Sequence, residues 1–575
     1  MNEALPVSEP VSTSTNDLGM PQEGPVARQH LVSRLLPGLL GVGLYIINNL
    51  DVIHGLIAPP NGYLPLGVQR NPDVALYVCW LQGLKHSWFI PNYHAPWITP
   101  RNFTVPAFFP AALLQRILPI SAAFALQIFT LAAYVFLAYA AAFACRSFCK
   151  TRRQALWSLL VAACCVPVAS LPGLSHVSGN PDQYGEAVWR GQFLLTSDGF
   201  FHGLVTWPFM TLGTAFQVLS MAFLVRYLNA PERRWFVWLT ITCLISTLMH
   251  PFEIIVTLTA AGVVLLRQFG LNARTVARVG LLAGAAAIGM LPYVIQTLRI
   301  PWVHEIAQAN MLQTMPAPLL LMLGVPTILV VVLLILGYPQ GQSHETLVLK
   351  AWFLSTFLVF FIPGVPFAFH ALDGLFFAIG FLLWLQIQEL TVGLAIVPSL
   401  FLRVASVVFL AWSLIPHATL RWQAWNARIA PQDRYGYPPA IAPAAEFATI
   451  QWLRENSGPD DLVLATYDAA PWLATAPVHS FASHWLFSLG ATHPRYSAVR
   501  NAFFDGSLTP EQAHDLLQLL GVRFVVVPDG SPATRYLENA VQRARFNTWT
   551  IFDLPGAHMK PYRDSGILAL AGPPY

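Results

Sequence analysis

Long apolar runs alternate with short polar loops through residues 31–420, and this alternation constrains the chain more than any other feature. A helix needs about 20 apolar residues to cross the hydrocarbon core of a bilayer. Composition makes the same demand. Hydrophobic residues make up 55% of the chain and charged residues only 10%, and mean hydropathy is +0.53. A water-soluble protein of 575 residues carries far more charge on its surface. The sequence therefore reads as a polytopic α-helical membrane protein, multi-pass in a plasma (inner) membrane. Its chemistry has to lie in the few polar groups it places at the membrane edge.

Residues 1–28 are polar and lack an apolar run, so they read as a disordered cytoplasmic tail rather than a signal peptide. The first span follows at Leu31 to Leu50. Further spans are expected near 119–145, 154–172, 204–225, 235–250, 254–267, 279–297, 317–337, 349–364, 372–390 and 402–420, about eleven in all. Three loops are basic: Arg146, Lys150, Arg152 and Arg153; Arg226, Arg233 and Arg234; Arg267, Arg274 and Arg278. With the N-terminus inside, all three fall on the cytoplasmic side. An odd number of spans then puts the C-terminus outside. The formal charge of +4 comes largely from these loops, so it speaks for topology and against a nucleic-acid partner. No C-x-x-C pair or disulfide framework is present.

Residues 29–420 form the expected transmembrane bundle, with a long outer loop at 51–118 that is dense in Trp, Tyr, His and Pro. Within that loop, VALYVCWLQGL has helical spacing, with Asn71 and Asp73 as its plausible N-cap residues. A second outer region, about 172–201, carries Asp182 and Glu186. Residues 421–575 shift to the composition of a soluble unit and read as an extracytoplasmic α/β domain. There, APAAEFATIQWLREN reads as a helix, and DDLVLATYD, VRFVVVPD and NTWTIFDL read as strands. Thr509-Pro510-Glu511-Gln512 has the pattern of a capping box, and Gly521 that of a helix stop.

With this topology, acidic and His residues recur on the outer side: Asp51, Asp73, Asp182, Glu186, His250, Glu253, His304, Glu305, His370 and Asp373. Carboxylates at span ends are costly to place against lipid and tend to face a cavity. Each one alone is more often a solvated loop residue. Asp182 and Glu186, four apart, have oxygen ligands for a divalent cation such as Mg or Mn, and equally read as a solvated helix face.

The strings NPDVALYVCWLQG, MHPFE, PFAFHALDGLFFAIGFLL, WLRENSGPDDLVLA, HSFASHW and AFFDGSLTPEQAHDLLQLLGVRFVVV resemble a bacterial, polyprenyl-phosphate-sugar-dependent branch of the GT-C membrane glycosyltransferases. The resemblance runs from about Leu31 to Asp553. It implies a GT-C-like fold of about eleven transmembrane helices. It also implies a lipid-linked-sugar-dependent hexosyl- or pentosyltransferase of the cell envelope, acting at the outer face on a hydroxyl acceptor. Its partners would be membrane lipids and a polyprenyl-phosphate sugar donor. By motif match Asp73 is the implied base. Asp51 is the second candidate, because it stands where the first span leaves the membrane. For the phosphate the candidates are His250, Glu253, Arg299, His304, His370 and Asp373. One departure matters: where the family usually has Arg-Arg, this chain has His370-Ala371, and a neutral His holds phosphate less well than Arg.

Two other function classes stay open in the sequence. A transporter or flippase of lipid-linked precursors is expected to show inverted repeats and broken spans. No repeat is visible here, and the polar groups collect on one side. A non-catalytic assembly protein that keeps the fold is the third reading, favoured by the His370-Ala371 departure.

Overall fold

The computed structural model describes residues 25–163, 208–309, 324–359, 372–394, 440–481 and 493–559, apart from some positions within those ranges, together with Ile362, His370 and Ser483. The helices of the first part are α1 (Pro25–Asn48), α2 (Leu50–Ile57), α3 (Pro72–His86), α4 (Phe109–Ile117), α5 (Ala122–Phe148), α6 (Arg152–Ala163), α7 (Pro208–Asn229), α8 (Arg233–Met249), α9 (Glu253–Phe269), α10 (Ala273–Arg299), α11 (Pro301–Ala309), α12 (Gly324–Ile335), α13 (His344–Leu358) and α14 (Leu375–Leu394).

Among the described residues, α5, α7 and α10 are each long and apolar enough to cross a membrane. The pair α1–α2, bent by 68°, makes a fourth if it counts as one span. α8 and α9 are shorter, at 17 residues each. The chain is thus a polytopic helical membrane protein. The expected span at 402–420 lies outside the described residues, as do residues 164–172 and 317–323 and most of the end of the span at 349–364.

Local sequence sets the helix ends. Ser121, Asn272 and Ser343 each accept a hydrogen bond from the backbone N–H three residues on, which starts α5, α10 and α13. Close packing of the bundle relies on small residues. A Cβ at Gly41 would sit 2.6 Å from Val135 Cα, one at Gly289 2.6 Å from the Leu244 carbonyl, and one at Gly380 2.4 Å from the Ser158 carbonyl. In lipid no hydrophobic force drives helices together, so backbone approach of this kind supplies the contact. The outer surfaces are apolar, with Leu39, Ile288 and Leu298 about 66–77% exposed, as lipid-facing positions should be.

The bundle is polar in charge. At one end Arg226 donates from Nε to Ser147 Oγ (3.1 Å) and from Nη2 to the Arg146 carbonyl (2.7 Å). Arg278 stands over the Tyr227 and Phe269 rings at the same end. All three basic loops therefore gather there. At the opposite end α8 turns into α9 through His250-Pro251-Phe252, and α14 begins.

That opposite end carries the remaining structure. A two-stranded antiparallel sheet pairs β1 (Tyr63–Pro65) with β2 (Ile441–Pro443). A five-stranded sheet has the order β4-β3-β5-β7-β6, with β3 (Leu462–Leu464), β4 (His479–Ser480), β5 (Val522–Pro528), β6 (Val541–Phe546) and β7 (Trp549–Asp553). β3 runs parallel to β4 and β5, and β7 runs antiparallel to β5 and β6. Helices α15 (Ala444–Asn456), α16 (Ala470–Leu473), α17 (His493–Phe504) and α18 (Pro510–Leu520) flank it. Thr509 and Gln512 form the reciprocal capping box, and Gly521 ends α18 in the left-handed region at φ 66°. One apolar cluster joins the two parts: Leu81 and Leu84 of α3 pack with Val463, Trp472, Phe524 and Ile551. The Ser480 amide also donates to the Tyr93 carbonyl (2.9 Å).

Candidate functional site

Four titratable side chains from three segments meet at the non-basic end of the bundle. His250 caps α8, Glu253 is the first residue of α9, and His370 and Asp373 precede α14. The His250 imidazole Nδ1 and Glu253 Oε1 are 2.6 Å apart and share a hydrogen bond. His250 Nδ1 lies 3.7 Å from Asp373 Oδ2, and His370 Nδ1 lies 3.3 Å from the same oxygen. The two imidazole rings stand edge to face at 4.7 Å. Phe252 stacks on His370 at 5.2 Å. His250, Glu253 and Asp373 are all at least 97% buried.

The local sequence explains the convergence. Proline at 251 lacks an N–H and breaks the helical run, so His250 and Glu253 end up three residues apart across a tight turn, facing each other. Small neighbours make the room. A Cβ at Gly213 of α7 would lie 2.6 Å from Glu253 Oε1 and 2.8 Å from His250 Cβ. One at Gly374 would lie 1.7 Å from Gln217 Oε1. Neither Gly213 nor Gln217 stands out in the sequence. A glycine inside an apolar helix is the only signal that Gly213 offers.

The electrostatics of this set are incomplete among the described residues. Glu253 Oε2 and both oxygens of Asp373 are buried without a hydrogen-bond donor. Carboxylate oxygens buried in this way need a proton or a cation as partner. His250, His370 and Asp373 each offer a ligand atom, all within 4.8 Å of one another. Two imidazoles and a carboxylate with buried, donor-free oxygens suit a divalent metal of intermediate softness. They suit a bare phosphate poorly, because the carboxylates would repel it.

Phe209 of α7 covers His250 and joins the cluster to aromatic rings of the long outer loop. Phe209 at the start of α7 lies 5.5 Å from His250, and Tyr77 of α3 meets Phe209 edge to face at 5.4 Å. Phe108 contacts both, at 5.2 Å from Tyr77 and 5.7 Å from Phe209. Asp73 lies one turn before Tyr77 on the same face of α3. Burial, with the Asp73 charge behind it, pushes the Tyr77 hydroxyl well above the ordinary tyrosine value. As the second residue of α3, Asp73 sits inside the first turn and is not the cap of this helix. Its charge there is favoured by the helix dipole. Asn71 lies outside the described residues.

The other candidates divide. Asp51 is half-buried in the first turn of α2, just past the 68° bend from α1. Arg299, at the end of α10, and His304, on α11, are exposed. His304 Nε2 pairs with Gln308 Nε2 one turn on (2.8 Å). The structure thus brings together His250, Glu253, His370 and Asp373, and places Arg299 and His304 on exposed faces. Asp182, Glu186 and Ala371 lie outside the described residues.

Known proteins were compared with the chain. No protein-family model matches it, and no curated protein does. Solved structures similar to it include the following two. One is the Archaeoglobus fulgidus oligosaccharyltransferase tethered to an acceptor peptide with the NVT sequon. It is 13% identical, with 87% of this chain and 69% of that one covered, at TM-score 0.47. The other is ArnT from Cupriavidus metallidurans bound to undecaprenyl phosphate. It is 11% identical, with 91% and 98% covered, at TM-score 0.49. Both scores fall below 0.5, so this chain's own residues have to carry its function.

Proposed function

We propose that this chain is a GT-C-type glycosyltransferase. It takes a sugar from a polyprenyl-phosphate donor and passes it to a hydroxyl acceptor at the outer membrane face. The single observation that supports this most is the convergence of His250, Glu253, His370 and Asp373 in a buried cluster opposite the basic end, joined through aromatic rings to the helix that carries Asp73. Buried carboxylates whose oxygens find no donor, as in Glu253 and Asp373, are expensive to keep, and a structural role alone gives little reason to gather them beside two imidazoles.

In this reading the basic end is cytoplasmic, the cluster faces outward, and the α/β domain at 440–559 stands outside. The full count of spans is eleven. The acceptor hydroxyl attacks the anomeric carbon as the bond from that carbon to the phosphate oxygen breaks. Asp73 accepts the hydroxyl proton, and the departing phosphate keeps the bonding electrons. Attack from the face opposite the leaving group inverts the anomeric centre. The ring layer of Tyr77, Phe108 and Phe209 excludes water, which strengthens every charge interaction beneath it. His250, His370 and Asp373 would hold a divalent cation, with Glu253 fixing the His250 tautomer from the other side. Such a cation supplies the positive charge a leaving phosphate needs, in place of the arginine pair that this chain lacks.

The test is transfer in proteoliposomes from a panel of polyprenyl-phosphate sugars, with and without chelator. Wild type should transfer at least one sugar, and Mn2+ should restore activity after EDTA. Asp73→Asn should abolish transfer while membrane insertion and thermal unfolding stay unchanged. If that variant fails to insert, Asp73 is a structural residue of α3. Full activity of Asp73→Asn would remove it as the base.

A further inference from the structure

At the far end of α3 from Asp73 lies a cavity of about 590 Å³, between the outer loop and the α/β domain. Asp73 and Lys85 are 12 residues apart, which is roughly 18 Å along the helix axis. The cavity has the volume of a small-molecule site. Four basic side chains line it, Lys85, His86, Arg101 and Arg454, and among the described residues no carboxylate does. They come from three segments: the C-terminal turn of α3, the loop after it, and α15. Among the described residues none of the four is in an ion pair. The three cations Lys85, Arg101 and Arg454 around one cleft repel each other, and that repulsion is relieved when an anion enters.

The rim of this cleft is apolar. Phe89 lines it and is 51% exposed, and Trp88 beside it is held by Arg116, whose guanidinium sits 3.7 Å from the ring centroid. Ile117 at the end of α4 and Phe124 near the start of α5 are exposed and flank the segment 120–123 that lines the cleft. Exposed aromatic and aliphatic residues beside basic groups are the marks of a surface lying at the lipid headgroups.

We propose that this cavity is a binding site for a phosphate-type anion, separate from the His250–Asp373 cluster, and that its occupant is a phosphate-bearing lipid headgroup entering past Phe89 and Trp88. Lys85 and Arg101 hold the anion and Arg454 closes the domain side. The site stands whether or not the chain transfers sugars, because it is read from the cavity alone.

The experiment uses the full-length protein in nanodiscs of phosphatidylcholine, titrated in separate arms with dioleoyl phosphatidic acid and with inorganic pyrophosphate. Binding is read by native mass spectrometry and by calorimetry. Phosphatidic acid should bind in preference to phosphatidylcholine. Lys85→Gln and Arg101→Gln should each weaken binding on the order of tenfold, the loss expected of one charge-assisted contact. Lys85→Arg should retain it. Both side chains are exposed, so thermal unfolding should not change. Binding of phosphatidic acid without pyrophosphate supports the lipid source. Equal binding of both keeps the phosphate site and removes the lipid preference. Unchanged affinity in the double variant, or equal binding of phosphatidylcholine, overturns the proposal.

Discussion

Gly213→Ala is the most informative small change in this protein. The added methyl would lie 2.6 Å from Glu253 Oε1, 2.8 Å from His250 Cβ and 3.1 Å from Glu253 Cδ. An ordinary contact of about 3.5 Å requires a displacement of roughly 0.9 Å. Glu253 cannot swing aside, because it is fully buried and its Oε1 is bonded to His250. The start of α9 has to move instead, carrying both residues with it. Overpacking of this kind costs about 1–3 kcal/mol, offset by about 0.5–1 kcal/mol for removing a helix glycine. Net stability should therefore fall by only about 1–2 kcal/mol. A shift near 1 Å at a catalytic group costs far more in rate, on the order of 100-fold. The matched control is Gly284→Ala on α10, where nothing lies within 4 Å of the new methyl. Thermal unfolding and proteoliposome transfer should be measured on both. Gly213→Ala should insert, unfold a few degrees lower and lose nearly all transfer, whereas Gly284→Ala should match wild type or unfold slightly higher. Equal activity of the two variants would refute the packing described around Glu253.

Three further outcomes are expected. His479 on β4 is buried, and burial holds its imidazole down to about 4. The unfolded chain binds that proton first, so the stabilisation is complete above pH 6.5 and lost as pH falls towards 4, up to about 3 kcal/mol; acid unfolding of the wild type should begin in that window, and a His479→Gln variant should lose the slope. Gly521→Ala should destabilise the α/β region more than Thr509→Ala, which loses one cap at about 1 kcal/mol, because a methyl at Gly521 meets the His558 carbonyl at 1.9 Å and φ is 66°; limited proteolysis ranks the two. Reporter fusions after Arg153, Arg234 and Arg278 should read cytoplasm and a fusion after Pro431 outside, and an inside signal at Pro431 would remove the odd count of spans.

Legibility in the sequence followed the range of the interaction. Arg146, Arg226 and Arg278 announced one end of the bundle because charge asymmetry between loops is a local, one-dimensional signal. Thr509, Gln512 and Gly521 announced α18 because capping is decided within four residues. The pairing of Tyr63–Pro65 with Ile441–Pro443 left no such trace, since nothing local specifies a strand partner hundreds of residues away. β6 was invisible because VQRARF is mostly exposed and lacks apolar alternation. At the site, His250 and Glu253 were legible as a turn, and His370 and Asp373 as an acidic span end. Their meeting was not, because it depends on how α8, α9 and α14 pack. Arg299 and His304 looked equivalent in sequence, and only the exposed faces of α10 and α11 separate them.

The central claim is that His250, His370 and Asp373 form a cation-bearing phosphate site under Asp73. The direct measurement is an experimental structure with Mn2+ and a polyprenyl phosphate, using anomalous density to locate the ion. The account predicts one manganese among these three side chains, at ordinary ligand distances of roughly 2.0–2.3 Å, with the lipid phosphate beside it. Manganese bound elsewhere, or a phosphate more than about 10–12 Å away, beyond one helix diameter, would contradict it.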